Sequence, residues 1–425
     1  MLCIHSLMVS ELFSAINPYN VFFHQHKTPM PPLNAVAAAS HPNPYPYYQH
    51  LLAGPKLYFD ADLRLWIASR AAVIQQVLDN PHCQVRPTGE AVPITIAGSS
   101  AGAVFARLIR MNEGTSHASP RRAIGQALAA LDLAAIVRKT GQFAIMLGEP
   151  HGLSDGAAIT RWVFELPTYV VADLLGLAQA ELPLVVLWMA DFVRCLSALS
   201  TTQELADAST AAQALHERFA QLVQTSTVAP TGLLADVCRQ AARAGWADQD
   251  AILANLIGLL SQTHEATAGL IGNSIVALLS QPQLQVRLGA DPQLAAALVH
   301  EVARFDPPVQ NTRRFVAQAT SVAGVALQPD DTILLLLAAA GRDEQAHSQP
   351  DVFLLERPAR KLLGFGHGRH ACPGQELAML IATSAIQHML ALPLALDPAT
   401  LGWTYRPSAN GRLPQFFTSP SKELP

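Results

Sequence analysis

The sequence predicts a mainly α-helical protein with small β-sheets, and three observations carry that prediction. Residues 116–305 are dominated by Ala, Leu and Gln, with Pro or Gly at the breaks, which is helix-forming text. Within them, residues 248–280 contain no proline and run far longer than an average helix, so a long apolar helix is expected at the centre of the fold. Strand-like text is confined to short runs within 56–68 and 309–336.

The elements follow in chain order. Residues 1–40 open with MLCIHSLMVSELF, which is mildly apolar but carries His5 and Glu11. It lacks the basic region and small-residue cleavage site of a secretory signal. Residues 1–40 are read as a poorly ordered N-terminal arm, with Met30 as an alternative translation start. Residues 41–53 (HPNPYPYYQHLLA) lead through prolines into a short helix. Residues 56–68 (KLYFDADLRLWIA) alternate around a D-A-D turn and read as a β-hairpin. Residues 69–80 return to helical spacing, and 86–104 (RPTGEAVPITIAGSSAGAV) read as a long loop rich in Gly, Ser and Pro. After Pro307 come the short strands, with Pro329-Asp330-Asp331 as a turn before TILLLL. Residues 341–371 are loop-rich, and a last helix is expected near Pro373, a residue that suits a first helical turn. No repeat and no dividing linker is visible, so residues 41–425 read as one domain.

Composition narrows the function. The 425 residues are 50% hydrophobic and 14% charged, far from the signature of disorder. A net charge of −4 with no block of like charges gives no electrostatic case for nucleic acid. No run of 18 apolar residues exists, so no membrane span is expected. Cys3, Cys83, Cys195, Cys238 and Cys372 are odd in number and unpaired in spacing, which argues against a disulfide framework or a zinc site. They fit a reducing, cytoplasmic compartment.

One thiol has a special neighbourhood. Residues 362–378 read LLGFGHGRHACPGQELA. Glycines ahead of Cys372 permit tight turns and close approach of backbone to a flat ligand. Free backbone N–H groups and the start of a helix beside the sulfur would stabilise a thiolate. Alone, such a cysteine is more often a buried structural residue. The full F-G-x-G-x-x-x-C-x-G string, Phe365 to Gly374, resembles the haem loop of the cytochrome P-450 family.

That resemblance spans about residues 41–415 and implies a fold, a single large triangular domain with the long helix over the haem. It implies haem b (iron protoporphyrin IX) as cofactor, Cys372 as the iron's sulfur ligand, and Phe365, His370 and Gly374 as cofactor contacts. Glu301 and Arg304 match the family's E-x-x-R pair, and Arg357 matches the arginine that the pair locks onto, a structural role. His117 and Arg121 match an H-x-x-x-R that reaches the haem propionates, as Arg314 and His370 are implied to do. Buried carboxylates need such cationic or hydrogen-bonding partners.

The long helix departs from the family pattern. In bacterial members a relay threonine lies 35 positions ahead of the Glu of E-x-x-R, and that count from Glu301 reaches Ala266. Glu265 then fills the acid position, Gln262 and Thr263 replace an Ala-Gly pair, and Thr267 follows. A methyl group cannot relay a proton, and Thr267 is about 100° further around the helix. Three readings follow: ordered water or a substrate hydroxyl completes the relay; peroxide is the oxidant; or the reaction is coupling or desaturation.

The resemblance implies a haem-thiolate monooxygenase, an oxidoreductase using O2 and two externally supplied electrons. Its substrate would be a small-to-medium lipophilic molecule, of the secondary-metabolite kind. With no flavin or iron–sulfur region in the chain, the electrons are expected from a ferredoxin and ferredoxin reductase, and the protein is expected to be a monomer. Arg357, Arg360, Lys361, His367 and Arg369 are a candidate basic docking face. Ile94, Thr95 and Ile96 are candidate substrate contacts, the Leu259–Thr267 segment a candidate wall, and residues 155–200 a candidate apolar roof. A reading of another class is a non-catalytic haem-binding sensor or carrier, which would lack turnover with any reductant.

Overall fold

The long helix spans Gln249–Ser280 in a computed structural model of the chain, which describes residues 30–148, 153, 155–225, 232–392 and 396–418. Asp248 starts it by accepting a hydrogen bond from the Ala251 N–H at 3.0 Å. Pro282 ends it by holding Gln281 outside helical geometry, at φ −137° and ψ 82°. The helix is apolar on nearly every side because other helices surround it. Gly156–Leu174, Gln375–Ala391, Ala295–Phe305 and Ser100–Arg107 all pack against it. Two of its glycines admit close neighbours. A Cβ at Gly269 would stand 2.6 Å from Pro308, and one at Gly272 would stand 2.5 Å from Pro414.

The sheets are small, as expected. β1 (Leu57–Asp60) and β2 (Leu65–Ala68) form the hairpin, with Leu57 opposite Ala68. The Asp60 carboxylate accepts from the N–H groups of Asp62 and Leu63, which closes its turn. β3 (Cys83–Gln84), β4 (Thr312–Val316) and β7 (Thr332–Leu335) complete a five-stranded sheet in the order β1-β2-β7-β4-β3. β5 (Thr320–Val322) and β6 (Val325–Leu327) pair separately. β8 (Leu401–Tyr405) and β9 (Pro414–Thr418) form a further hairpin that the sequence reading did not anticipate. Ile74, Val77, Leu78, Ile333 and Leu335 build a core against one face of the main sheet. Tyr48, Ile67, Leu334 and Leu336 build another on the opposite face, as strand alternation requires.

Three expectations are corrected. Residues 35–39 were counted in the arm, yet Ala35, Val36, Ala38 and Ala39 are buried. Asn34 fixes their turn by accepting from the N–H groups of Val36 and Ala37. The packed body therefore begins ahead of residue 41; residues 1–29 lie outside the described residues. The 86–104 loop contains a 3-10 turn at Ile94–Ile96, and a helix begins inside it at Ser100. Ser99 caps that helix by accepting from the Gly102 N–H, and Gly102 lies so close to Ile96 that a Cβ there would meet its carbonyl oxygen at 2.1 Å. The last helix starts at Gln375, with Gly374 as its cap, so Pro373 precedes it rather than forming its first turn.

Gly341 illustrates how tightly the segment before Cys372 is held. A Cβ on it would lie 2.1 Å from the Arg304 carbonyl oxygen, and its own carbonyl accepts from Arg304 Nη1 at 2.7 Å. Gly341→Ala is expected to destabilise the protein by about 1–3 kcal/mol through overpacking. The urea unfolding midpoint measures this, and an unchanged midpoint would contradict it.

Candidate functional site

A cavity of about 1340 Å³ lies between the long helix and the Cys372 loop. Cys372 is exposed to it. The loop is shaped by two glycines in the left-handed region, Gly366 at φ 76° and Gly368 at φ 62°. Its return is fixed by the Cys372 N–H, which donates to the Phe365 carbonyl at 2.8 Å. Burial pushes the Cys372 thiol up; the Gly374 N–H, which points at the sulfur, and the Arg121 guanidinium pull it down. Arg121 also donates to the Ala371 carbonyl at 2.6 Å, tying its helix, Thr115–Ala129, to the loop.

Glu301 stands behind this loop, with its side chain fully buried. Its oxygens accept from Arg304 Nη2 at 2.6 Å, Arg357 Nε at 3.1 Å, Arg360 Nε at 2.9 Å and the Leu354 N–H at 3.0 Å. Burial raises the Glu301 pKa, but these partners outweigh it and hold the carboxyl below its ordinary range. Glu301, Arg304 and Arg357 come together here. Arg360 is a fourth member, which the sequence reading had placed on a docking face.

The four candidate propionate residues all line the cavity, and three of them share one electrostatic neighbourhood. The His117 and His370 rings lie 4.1 Å apart. His117 is lowered to about 4 by burial and by His370, so it is neutral at neutral pH. Arg314 is lowered to about 10 by burial, and its Nε is buried without a hydrogen-bond partner. A carboxylate that sequence reasoning missed joins them. Glu113 Oε2 is 3.1 Å from both Arg369 Nε and His370 Nε2, the latter without hydrogen-bonding geometry. Burial raises the Glu113 pKa, but His370 and Arg369 bring it down to about 2. Its position four residues before His117 was the available signal.

Opposite Cys372, Glu265, Ala266 and Thr267 line the cavity. Thr267 is buried, and its hydroxyl makes no hydrogen bond among the described residues. Thr263 bonds back to the Leu259 carbonyl at 2.8 Å, and Gln262 to the Gly258 carbonyl at 2.8 Å. Burial raises the Glu265 pKa, with Arg406, Arg110 and Arg194 opposing it. His264 also lines the cavity, its Nδ1 3.0 Å from the Thr168 hydroxyl, and burial lowers it to about 4.

Other candidate contacts need correction. Thr95 lines the cavity, but Ile94 is 77% exposed to solvent and Ile96 is buried in the helical core. The roof between residues 155 and 200 does line it, through Phe164, Val186 and Val193, yet it is not wholly apolar: Arg161, Glu165 and Arg194 also face it. The basic docking face is largely consumed internally. Arg357 and Arg360 serve Glu301, and Arg369 serves Glu113 and the carbonyls of Leu78, Asn80 and Cys83. His367 pairs with Asp79, which leaves Lys361.

A mostly helical fold with small sheets, a long helix over a large cavity and a cysteine loop facing it is the architecture of the haem-thiolate oxidoreductases. The comparisons agree: the family model for cytochrome P450 matches residues 233–392. The "Biotin biosynthesis cytochrome P450" of Bacillus subtilis is 28% identical, over 62% of this chain and 66% of that one. The "Cytochrome P450 144" of Mycobacterium tuberculosis is 25% identical over 92% of this chain and 89% of its own length. The "Vitamin D(3) 25-hydroxylase" of Pseudonocardia autotrophica is 28% identical over 84% and 89%. Among solved structures, CalO2 superposes with a TM-score of 0.78 at 24% identity, covering 89% of this chain and 96% of that one. P450BioI, bound to an acyl carrier protein ligated to hexadec-9Z-enoic acid, gives 0.77 at 23%, covering 88% and 98%. The chain is similar to the cytochrome P450 family by sequence over residues 233–392, and by fold over most of its length. It is an oxidoreductase of the monooxygenase kind, and its cofactor is haem b. No helix among the described residues is long and apolar enough to cross a membrane.

The Glu301 cluster makes a direct test. Glu301→Gln leaves three guanidinium groups without their carboxylate and is expected to cost about 3–5 kcal/mol. Because the folded carboxyl titrates below the ordinary range, its contribution is complete above that range and is lost as pH falls through the folded value. Urea midpoints recorded across that acidic window should fall in the wild type, and the part due to this carboxyl should be absent in Glu301→Gln.

Proposed function

We propose that this chain is a haem-thiolate monooxygenase that holds the haem iron through Cys372 and oxidises a small-to-medium molecule with a lipophilic body. Its electrons come from a separate ferredoxin and ferredoxin reductase. The observation that carries the reading is the sulfur of Cys372, which faces the cavity from a loop closed by the Phe365 carbonyl and overlooked by the Gly374 N–H. The free cysteines of the described residues support a reducing, cytoplasmic setting.

The residues present suit the cofactor. Arg314 offers a buried Nε with no hydrogen-bond partner, and His370 Nε2, though 3.1 Å from Glu113 Oε2, makes no hydrogen bond of good geometry. Those are the donors that haem propionates would satisfy, with Arg121 and His117 beside them. Phe365 and Gly374 flank the sulfur. When bound, the haem supplies dioxygen activation and hydrogen removal from the substrate. The chain's part is to hold charge, exclude water and manage protons. The Gly374 N–H and Arg121 stabilise negative charge at Cys372 Sγ. Glu301, Arg304 and Arg357 keep the segment ahead of the loop in place. Phe164, Val186, Val193 and Leu259 present apolar surface to the substrate.

Proton delivery is where this chain differs. Ala266 has no hydroxyl to hold or pass a proton. Thr267, one residue on, has a hydroxyl with no hydrogen bond among the described residues, on the same cavity wall. With an ordered water it supplies a donor that does not depend on position 266. Peroxide as the oxidant, which brings its own protons, is the second reading that Ala266 favours.

Two measurements test this. Cys372→Ser should abolish the thiolate-type Soret band of the reduced carbon monoxide complex, and retention of that band would refute the sulfur assignment. Ala266→Thr should raise the share of consumed electrons recovered as product rather than hydrogen peroxide. An unchanged share would remove position 266 from the account of proton delivery.

A further inference from the structure

The cavity wall near Glu265 contains a cation with no hydrogen-bond or ion-pair partner among the described residues. Arg110 sits in the 3-10 turn Ile109–Met111 and lines the cavity. Its guanidinium makes no hydrogen bond and no ion pair among the described residues. Its side chain is open to the cavity, while the surrounding protein desolvates it enough to lower its pKa. A guanidinium stays charged under such conditions, so the unfavourable burial calls for an anion rather than for neutralisation.

The backbone around Arg110 is held firmly. The Ile109 N–H donates to the Asn255 side chain at 2.9 Å, and that side chain donates in turn to the Arg107 carbonyl at 2.9 Å. Asn112 donates to the Leu108 carbonyl at 2.8 Å and to the Ala106 carbonyl at 3.0 Å. Asn255 belongs to the long helix, so the turn that presents Arg110 is pinned to the central element of the fold. With the backbone held, only the side-chain torsions of Arg110 remain to be ordered when an anion binds.

The neighbouring charges do not absorb it. Arg194 pairs with Glu204, and Arg406 is 3.9 Å from Glu265 while stacking over Phe164 at 4.4 Å. Of the three arginines that act on Glu265, Arg110 is the one with no carboxylate in ion-pair reach among the described residues. Nor does Arg110 belong to the propionate group. The carboxylate it senses is Glu265, whereas His117 senses His370, Glu113, Arg121 and Arg369.

We infer that the cavity takes substrates that carry a carboxylate on an apolar body, with Arg110 as the head-group anchor. This rests on the reading of the cavity as a substrate site given above. An arginine fork matches a carboxylate in two parallel hydrogen bonds, and Phe105, Val186, Val193 and Leu259 supply apolar walls for the remainder. The extra positive charge sets a polarity that a neutral lipophile would not exploit.

The test uses the haem-loaded, full-length protein and three probe acids: dodecanoate, hexadecanoate and the polycyclic cholate. Each is paired with its methyl ester. Calorimetric titration gives the affinities, and the low-to-high-spin shift reports arrival near the haem. At least one acid should bind about tenfold or more tightly than its ester, in line with a charge-assisted pair. Arg110→Gln should remove that preference and leave the ester's affinity unchanged, while Arg110→Lys should keep part of it. The inference fails if no acid outbinds its ester, or if Arg110→Gln weakens acid and ester alike. The reduced carbon monoxide spectrum of the same preparations reads the thiolate site separately. A normal band with no acid preference would overturn only the anion anchor; a missing band would overturn the function itself.

Discussion

One buried carboxylate organises the half of the molecule that holds the cysteine. Glu301 is fully enclosed and binds three guanidinium groups, an arrangement that would be unstable if the count ended there. It does not end there. Arg304 also donates to the carbonyls of Gly341, Pro350 and Val352. Arg357 reaches those of Ser348, Gln349 and Val352, and Arg360 those of Leu354 and Leu355. The surplus positive charge is thus spread over carbonyl dipoles of a segment with little regular structure. The same bonds satisfy both the arginines and a stretch of backbone that has no ladder of its own. The arginines therefore act as a substitute for secondary structure between residues 341 and 361.

That substitution explains how a loop with little regular structure can hold Cys372 in one position. The Cys372 loop itself contains only short 3-10 turns, Leu363–Phe365 and Gly368–His370. Its position is inherited from three sides. Glu301 fixes the chain before it, Arg121 holds the Ala371 carbonyl, and Arg369 crosses to the carbonyls of Leu78, Asn80 and Cys83 beside the main sheet. Each tie links the loop to a different part of the fold. The sulfur is consequently placed by the whole structure and not by local turn chemistry alone.

What the sequence made legible follows from this. The β1–β2 hairpin, the long helix and the cysteine loop carry their signals locally: alternation around a turn, an unbroken apolar run between Asp248 and Pro282, and glycines at fixed offsets. The residues that were misread owe their roles to distant partners. Arg360 looked like a surface cation because Glu301 lies 59 positions away. Glu113 was overlooked because Arg369 is 256 positions away. Ile94 and Ile96 have the same chemistry and near-identical sequence context, yet one faces solvent and the other the core. Their 3-10 turn decides that, and no periodicity announces so short a turn. The β8–β9 hairpin was missed for a related reason. Its approach to the long helix is licensed by Gly269 and Gly272, more than a hundred residues earlier.

The distal wall shows how one helix serves opposed electrostatic demands. Successive residues of the long helix point His264 and Glu265 into different surroundings, about 100° apart. His264 meets Thr168 and Phe164 and is held neutral by burial, so it adds no charge to the cavity side. Glu265 meets Arg406 and senses Arg110 and Arg194. Burial alone would favour its protonated form, and the arginines favour the carboxylate. Burial is the larger of the two, so the Glu265 pKa is raised. An anion seated on Arg110 would cancel part of the positive field and leave burial less opposed, which makes Glu265 a better holder of protons. With the cavity free of anions, the same residue is better kept as the counter-ion of Arg406. The missing hydroxyl at Ala266 and the surplus charge at Arg110 are therefore features of one wall. On the inference that an anion seats at Arg110, the anion's charge would favour the protonated form of Glu265.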